Sequence, residues 1–158
     1  MSITINPSNE FLTEEQKEML YFIYQGKKVA RDIFITFGEI YQDENRFRLI
    51  QFSRQRHMEC AKELCEIYGV PTTSIDESRI GEFESPVLQT VYDVCIEKGK
   101  KSIEDALEVA AFIQTAQIEG MEQASVGMPE DVVSVYEKLK QRDLRQLGTF
   151  HAAFSKAA

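Results

Sequence analysis

Ser53-Arg54-Gln55-Arg56-His57-Met58 lies inside a segment whose apolar and polar positions repeat with the helical period. The stripe Ile50, Ser53/Arg54, His57, Ala61, Leu64 and Tyr68 advances in steps of three and four, so these residues share one helix face. Gly69 and then Pro71 bar its continuation. A histidine on the inner face of a bundle helix, with a glutamate three residues before it, supplies part of the shell that holds paired metal ions between helices. Here the residue three before His57 is Arg54. A guanidinium carries only donors, so it cannot ligate a cation and repels one. The segment therefore predicts a bundle helix in which a ligand position holds a positive charge.

Other helices follow from the same signals. Thr13-Glu14-Glu15-Gln16 is a capping box, after which Leu20, Ile23, Ala30, Phe34, Phe37 and Tyr41 recur largely three and four apart. The polar run Gln42-Asp43-Glu44-Asn45 breaks this helix. After a polar loop from Thr72 to Glu82, Ser85-Pro86 places an N-cap before a proline at the first helical position. Ser102-Ile103-Glu104-Asp105 opens a further helix with Ile103, Ala106, Ala110, Ile113 and Gln117 inward. Gly127-Met128-Pro129 separates it from a last one, striped by Val132, Tyr136, Leu139, Asp143, Gln146 and Phe150. The expected spans are 14–41, 46–68, 86–98, 103–125 and 130–154. Met1 to Ile5 alternates, but this is too short and isolated to build a sheet.

The 158 residues read as one domain, 1–158, with 1–12 as an N-terminal extension. A hydrophobic content of 43% and a charged content of 28% fit a soluble globular chain. The net charge of −8 argues against nucleic acid or an anionic membrane as partner. No apolar run approaches the roughly 18 residues of a membrane span. Met1 to Pro7 lacks a basic region followed by an apolar one, so no secretory leader is expected. Cys60, Cys65 and Cys95 are odd in number and lack metal-ligand spacing, and they read as reduced, buried residues of a cytoplasmic protein.

Short links join the first long helix to the second and the third to the fourth, so each pair is expected to be antiparallel. The link between the second and third is long enough to travel the length of a bundle and carries the short helix. This all-α architecture, a four-helix bundle with one long crossover, is the ferritin-like arrangement. Lys28-Val29-Ala30-Arg31-Asp32-Ile33, Gln55-Arg56-His57-Met58 and Ile67-Tyr68-Gly69-Val70-Pro71 resemble stretches of an uncharacterised family of prokaryotic ferritin-like domains. Asp105-Ala106-Leu107 and Val135-Tyr136-Glu137 are similar to later segments of it, so the resemblance spans about Glu14 to Phe154.

The resemblance implies the fold, while the ligand positions depart from it. Gln25, Gly26 and Lys27 stand where the family has glutamates, and Arg54 stands where it has the glutamate before x-Arg-His. Gln114, Thr115 and Gln117 fall near its acidic residues, and Arg145 and Gln146 on its Asn-His pair. His57 alone persists. Independently of the family, the inward polar set is Lys27, Arg54, His57, Gln114, Gln117, Asp143 and Gln146. One carboxylate and one imidazole among two cations do not make a di-iron shell, so no metal and no cofactor is expected. Glu39 and Glu108 would have to turn inward to rescue one. Arg54 is expected to pair with Asp143, because a buried charge requires a partner.

Nucleotide-binding glycine loops are absent. His151 reads as surface or terminal packing, and Lys98-Gly99-Lys100-Lys101 as a solvated turn closing a helix C-terminus. Tyr21, Phe22 and Tyr24 widen the aromatic surface of the first helix, a face expected to meet a protein partner or a second copy. Three functions are compatible with these residues. The chain could be a metal-free ferritin-like structural or interaction domain without catalysis. It could be a divergent ferritin-like metal-binding oxidoreductase keeping one ion at His57, or a binder of a small anion or other ligand in the polar core.

Overall fold

The computed structural model describes residues 3, 5 and 11–157, with side chains described as far as Phe150. It is all-α: α1 (Glu14–Ile40), α2 (Asn45–Ile67), α3 (Pro86–Gly99), α4 (Ile103–Ala124) and α5 (Glu130–Ala157), with no strand among the described residues. Among the same residues, no helix is long and apolar enough to cross a membrane.

Each helix begins where a side chain can satisfy the free N–H groups of the first turn. Thr13 and Gln16 close a reciprocal capping box on α1. Ser85 caps α3 ahead of Pro86, and Ser102 caps α4 by accepting from the Asp105 N–H. The start of α2 lies one residue earlier than the spacing predicts. Glu44, in the polar run that stops α1, accepts from the Arg46 N–H and so caps the next helix. α1 stops one residue early, and α5 continues three residues past its expected end. Gly69, with φ of 71°, supplies the left-handed residue that turns the chain away from α2.

α1 packs against α2, α3 and α4, while α5 packs against α4 and more sparsely against α2. Arg31 meets Gln55 and Phe34 meets Gln51, so α1 and α2 are antiparallel. Gln114 meets Gln146 and Glu122 meets Lys140, so α4 and α5 are antiparallel too. The link between the two pairs carries α3, which lies against α1 and α4. The apolar interior falls into two clusters along these helices. One gathers Leu20, Tyr24, Met58, Leu64, Met121 and Tyr136, with Leu12, Ile3 and Ile5 packed at the same end. The other gathers Phe34, Phe37, Phe47, Leu107, Ile113 and Phe150. Phe34 and Phe150 stack at 5.7 Å between ring centroids, which ties α5 to α1. All three cysteines are free and buried. Burial pushes the Cys65 thiol up to about 12 and that of Cys95 up to about 11, so both stay protonated.

α3 is held down by a close approach at Gly99. Tyr41 donates its hydroxyl to the Gly99 carbonyl, and a Cβ at Gly99 would overlap the ring of the fully buried Phe37. Gly99→Ala is therefore expected to destabilise the fold by about 1–3 kcal/mol through overpacking. Urea denaturation checks this, and an unchanged midpoint would show that α3 can shift freely.

Candidate functional site

On each of the four long helices a polar residue separates the two apolar clusters. These residues meet. Lys27 comes from α1, Arg54 and His57 from α2, Gln114 from α4, and Asp143 and Gln146 from α5. Arg54, Asp143 and Gln114 are 0% exposed and Lys27 and His57 only 1%, so of this set bulk solvent reaches only half-buried Gln146. Arg54 donates through Nη2 to both Asp143 and Gln146. Lys27 Nζ lies 3.5 Å from the other Asp143 oxygen, and His57 Nδ1 lies 3.4 Å from the oxygen that Arg54 takes. The Gln146 amide then extends the network. Its oxygen also accepts from Gln114 at 2.9 Å, and its Nε2 donates to Ser53 Oγ at 2.8 Å. That leaves the Ser53 proton for His57 Nε2, 3.3 Å away, and puts the imidazole proton on Nδ1, which faces Asp143 without completing a hydrogen bond.

Electrostatics follow from this geometry. Burial raises the Asp143 carboxyl, but the nearby Lys27 and Arg54 charges outweigh it and hold it well below the usual carboxylate range. Burial lowers Lys27 to about 8, only partly opposed by Asp143. It lowers His57 from 6.5 to about 4, again against the pull of Asp143. Near neutral pH the layer thus holds two cations, one carboxylate and a neutral imidazole. Such a set attracts no divalent cation. Among the described residues no three His, Cys, Asp or Glu side chains gather where they could hold a metal ion.

Gln117 stands apart from this layer. It is half-buried and donates to the Gly26 carbonyl at 3.2 Å. Glu39 and Glu108 stay outward, Glu108 pairing with Lys98 at 2.8 Å. Arg145 is exposed, and the His151 side chain lies outside the described residues.

A second ionic cluster was not assigned a role from the sequence, although its residues belong to the quoted stretch Lys28 to Ile33. Asp32 accepts from Lys28 at 2.7 Å, from Arg31 at 3.0 Å and from the Gly81 N–H at 3.0 Å. Lys28 also donates to the Arg79 and Glu82 carbonyls, and Arg31 to the Glu77 carbonyl. Together they strap the segment 72–84 across α1. Tyr24 donates to Glu77 and Tyr21 to Glu84, so two of the three aromatic residues expected to face a partner are engaged by this chain's own link. Tyr24 is fully buried, and Phe22 remains about half exposed. The signal available in the sequence was the apposition of Lys28, Arg31 and Asp32, charges too costly to bury without partners.

Two outcomes follow. Asp32→Ala would leave Lys28 and Arg31 buried without their carboxylate, so a loss of about 3–5 kcal/mol is expected, together with faster proteolysis within 72–84. Retained stability would show that the strap is ornamental. For His57, the native form binds fewer protons than the unfolded chain between about 4 and 6.5. Its contribution is therefore complete above 6.5 and is lost as pH falls toward 4, by up to about 3 kcal/mol. The wild type should lose more stability across that window than His57→Gln; parallel pH profiles would contradict the burial of a neutral imidazole.

The fold has a known counterpart. A crystal structure of the hypothetical protein MJ0754 from Methanococcus jannaschii superposes with a TM-score of 0.90, covering 96% of this chain and 86% of that one at 29% identity. The uncharacterized protein MJ0754 of Methanocaldococcus jannaschii is 34% identical over 140 residues, which are 88% of this chain and 75% of that protein. Residues 15–156 match the family described as "Uncharacterized protein domain (DUF2202)", and the chain belongs to that family.

Proposed function

We propose that α1, α2, α4 and α5 form a ferritin-like four-helix bundle, with α3 in its long crossover. In this reading the chain is a metal-free structural or interaction domain without catalytic activity, a single domain preceded by the extension 1–12. The observation that carries it is the Arg54–Asp143 ion pair with Lys27 and His57, at the level where bundle helices would converge on metal ions. A di-iron centre needs several carboxylates beside its imidazoles, and this layer has one carboxylate already neutralised by two cations. The residues do not fit the metal, and no redox step is assigned to them. Three free cysteines suit a reducing, cytoplasmic setting. Phe22, the exposed remainder of the α1 aromatic face, is the surface we assign to a protein partner or a second copy.

One observation favours a second reading. Arg54 Nε and Nη1 and His57 Nδ1 are buried without hydrogen-bond partners, and the layer holds more positive than negative charge. A small anion would satisfy the guanidinium.

Elemental analysis of protein purified without chelators tests the first reading, which expects no stoichiometric iron, manganese or zinc. About two ions per chain would overturn it, and about one would point to a divergent oxidoreductase built on His57. Arg54→Glu alone is not expected to create a di-iron site, since one Glu-x-x-His pair supplies only part of the shell. A chloride-specific rise in melting temperature that Lys27→Met abolishes would establish the anion reading instead.

A further inference from the structure

One side of the molecule, where α3 lies against α1 and α4, has an apolar surface. On α3, Val87, Val91 and Val94 follow one another at steps of four and three, so they share a face. Beside them stand Phe112 of α4 and Phe22 of α1, which line a common cleft with Val91. Val87 is 65% exposed, Val94 62%, Phe112 59% and Phe22 44%. These four residues leave roughly 400 Å² of apolar surface in water, taking a whole aromatic side chain at about 150–250 Å². On a soluble protein a patch of that size commonly marks a contact surface.

Phe112 stands between two clefts and belongs to the wall of both. One, of about 190 Å³, runs between α1, α3 and α4, with Phe22, Leu88, Val91, Ala116 and Gly120 in its lining. The other, of about 250 Å³, lies between α3 and α4 beside Val94 and Val109. Each has room for a phenyl ring, since about 150 Å³ accommodates benzene. Among the described residues, no buried polar side-chain atom lacking a partner lines either cleft, so nothing there orients a small ligand.

The same surface thus offers an exposed ring and a hole that can take one. That is the condition for an isologous contact, in which a patch meets its own copy across a two-fold axis. The charges agree. Lys98 and Glu108 are the only exposed charges lining either cleft, and they pair at 2.8 Å. A second copy turned through a two-fold axis can meet a rim of both signs with opposite charges. The area agrees as well. A standard interface takes about 800 Å² from each partner, a little over half of it apolar, and the four exposed residues supply most of that share.

We propose that the α1–α3–α4 face is the interface of a homodimer, with Phe112 of each copy seated in a cleft of the other. The proposal rests on the reading of the Phe22 face as a contact surface and names its occupant.

Sedimentation equilibrium of the whole chain from about 1 to 200 μM tests it. A species of twice the 18.2 kDa chain mass is expected, with a Kd in roughly the micromolar range. Phe112→Glu and Phe22→Glu should each weaken the dimer at least about thirtyfold, as loss of a central aromatic anchor does. Both side chains are already partly in water, so the circular dichroism of each variant should match that of the wild type. Phe52→Glu, which alters an exposed ring on α2, should leave the dimer intact. A chain that stays monomeric at every concentration overturns the second copy and leaves the face to a different protein. A dimer that survives both Phe112→Glu and Phe22→Glu, or that only Phe52→Glu dissociates, overturns this interface and the reading of the Phe22 face together.

Discussion

The fold is organised around a buried carboxylate, Asp143, held between two buried cations. Apolar side chains fill both ends of the interior, and the ionic layer divides them at one level on all four long helices. Such a layer contributes little net stability, because desolvation of the charges offsets most of their attraction. Its consequence is registry. If α5 slipped by a turn against α2, about 5.4 Å, Asp143 would leave Arg54 and face an apolar cluster. Two unpaired charges in the core would then penalise every alternative alignment. We regard this specificity as the reason for keeping a polar layer whose described residues offer a single carboxylate.

α1 has a double task that explains its unusual burial. Lys27 and Lys28 are neighbours in sequence and point to different sides of the helix, as the helical period requires. Lys27 enters the interior, while Lys28, with Arg31 and Asp32, fastens the 72–84 link over the other side. A helix covered by α2, α4, α3 and its own loop can bury charge on more than one face, provided each charge finds a partner. The Arg79 and Glu82 carbonyls accept from Lys28, so the same contacts also satisfy backbone groups of an irregular segment.

The helices were legible because their signals are local. Thr13/Gln16, Ser85-Pro86 and Ser102 act within one turn, and the structure uses each as the spacing implies. The polar layer was legible for a related reason: Arg54, His57, Asp143 and Gln146 sit on apolar stripes, where only mutual pairing makes them tolerable. Gln117 shows the limit of that reasoning. It shares the α4 stripe, yet it finds the Gly26 backbone instead of the layer. The strap was not legible, because its acceptors are backbone carbonyls of a loop some fifty residues away, and nothing local in Thr72 to Glu82 marks them. For the same reason Tyr21 and Tyr24 read as a face awaiting a partner, when the link supplies their acceptors.

The pairing of Arg54 with Asp143 is the central claim, and a double-mutant cycle measures it most directly. The cycle is best run in a Lys27→Met background, so that no second cation shares the carboxylate. Arg54→Met and Asp143→Leu should each cost about 3–5 kcal/mol alone, while the double variant should recover most of that loss. Single and double losses that add within about 0.5 kcal/mol would contradict the account, because two charges that do not sense each other cannot set the alignment of the helices.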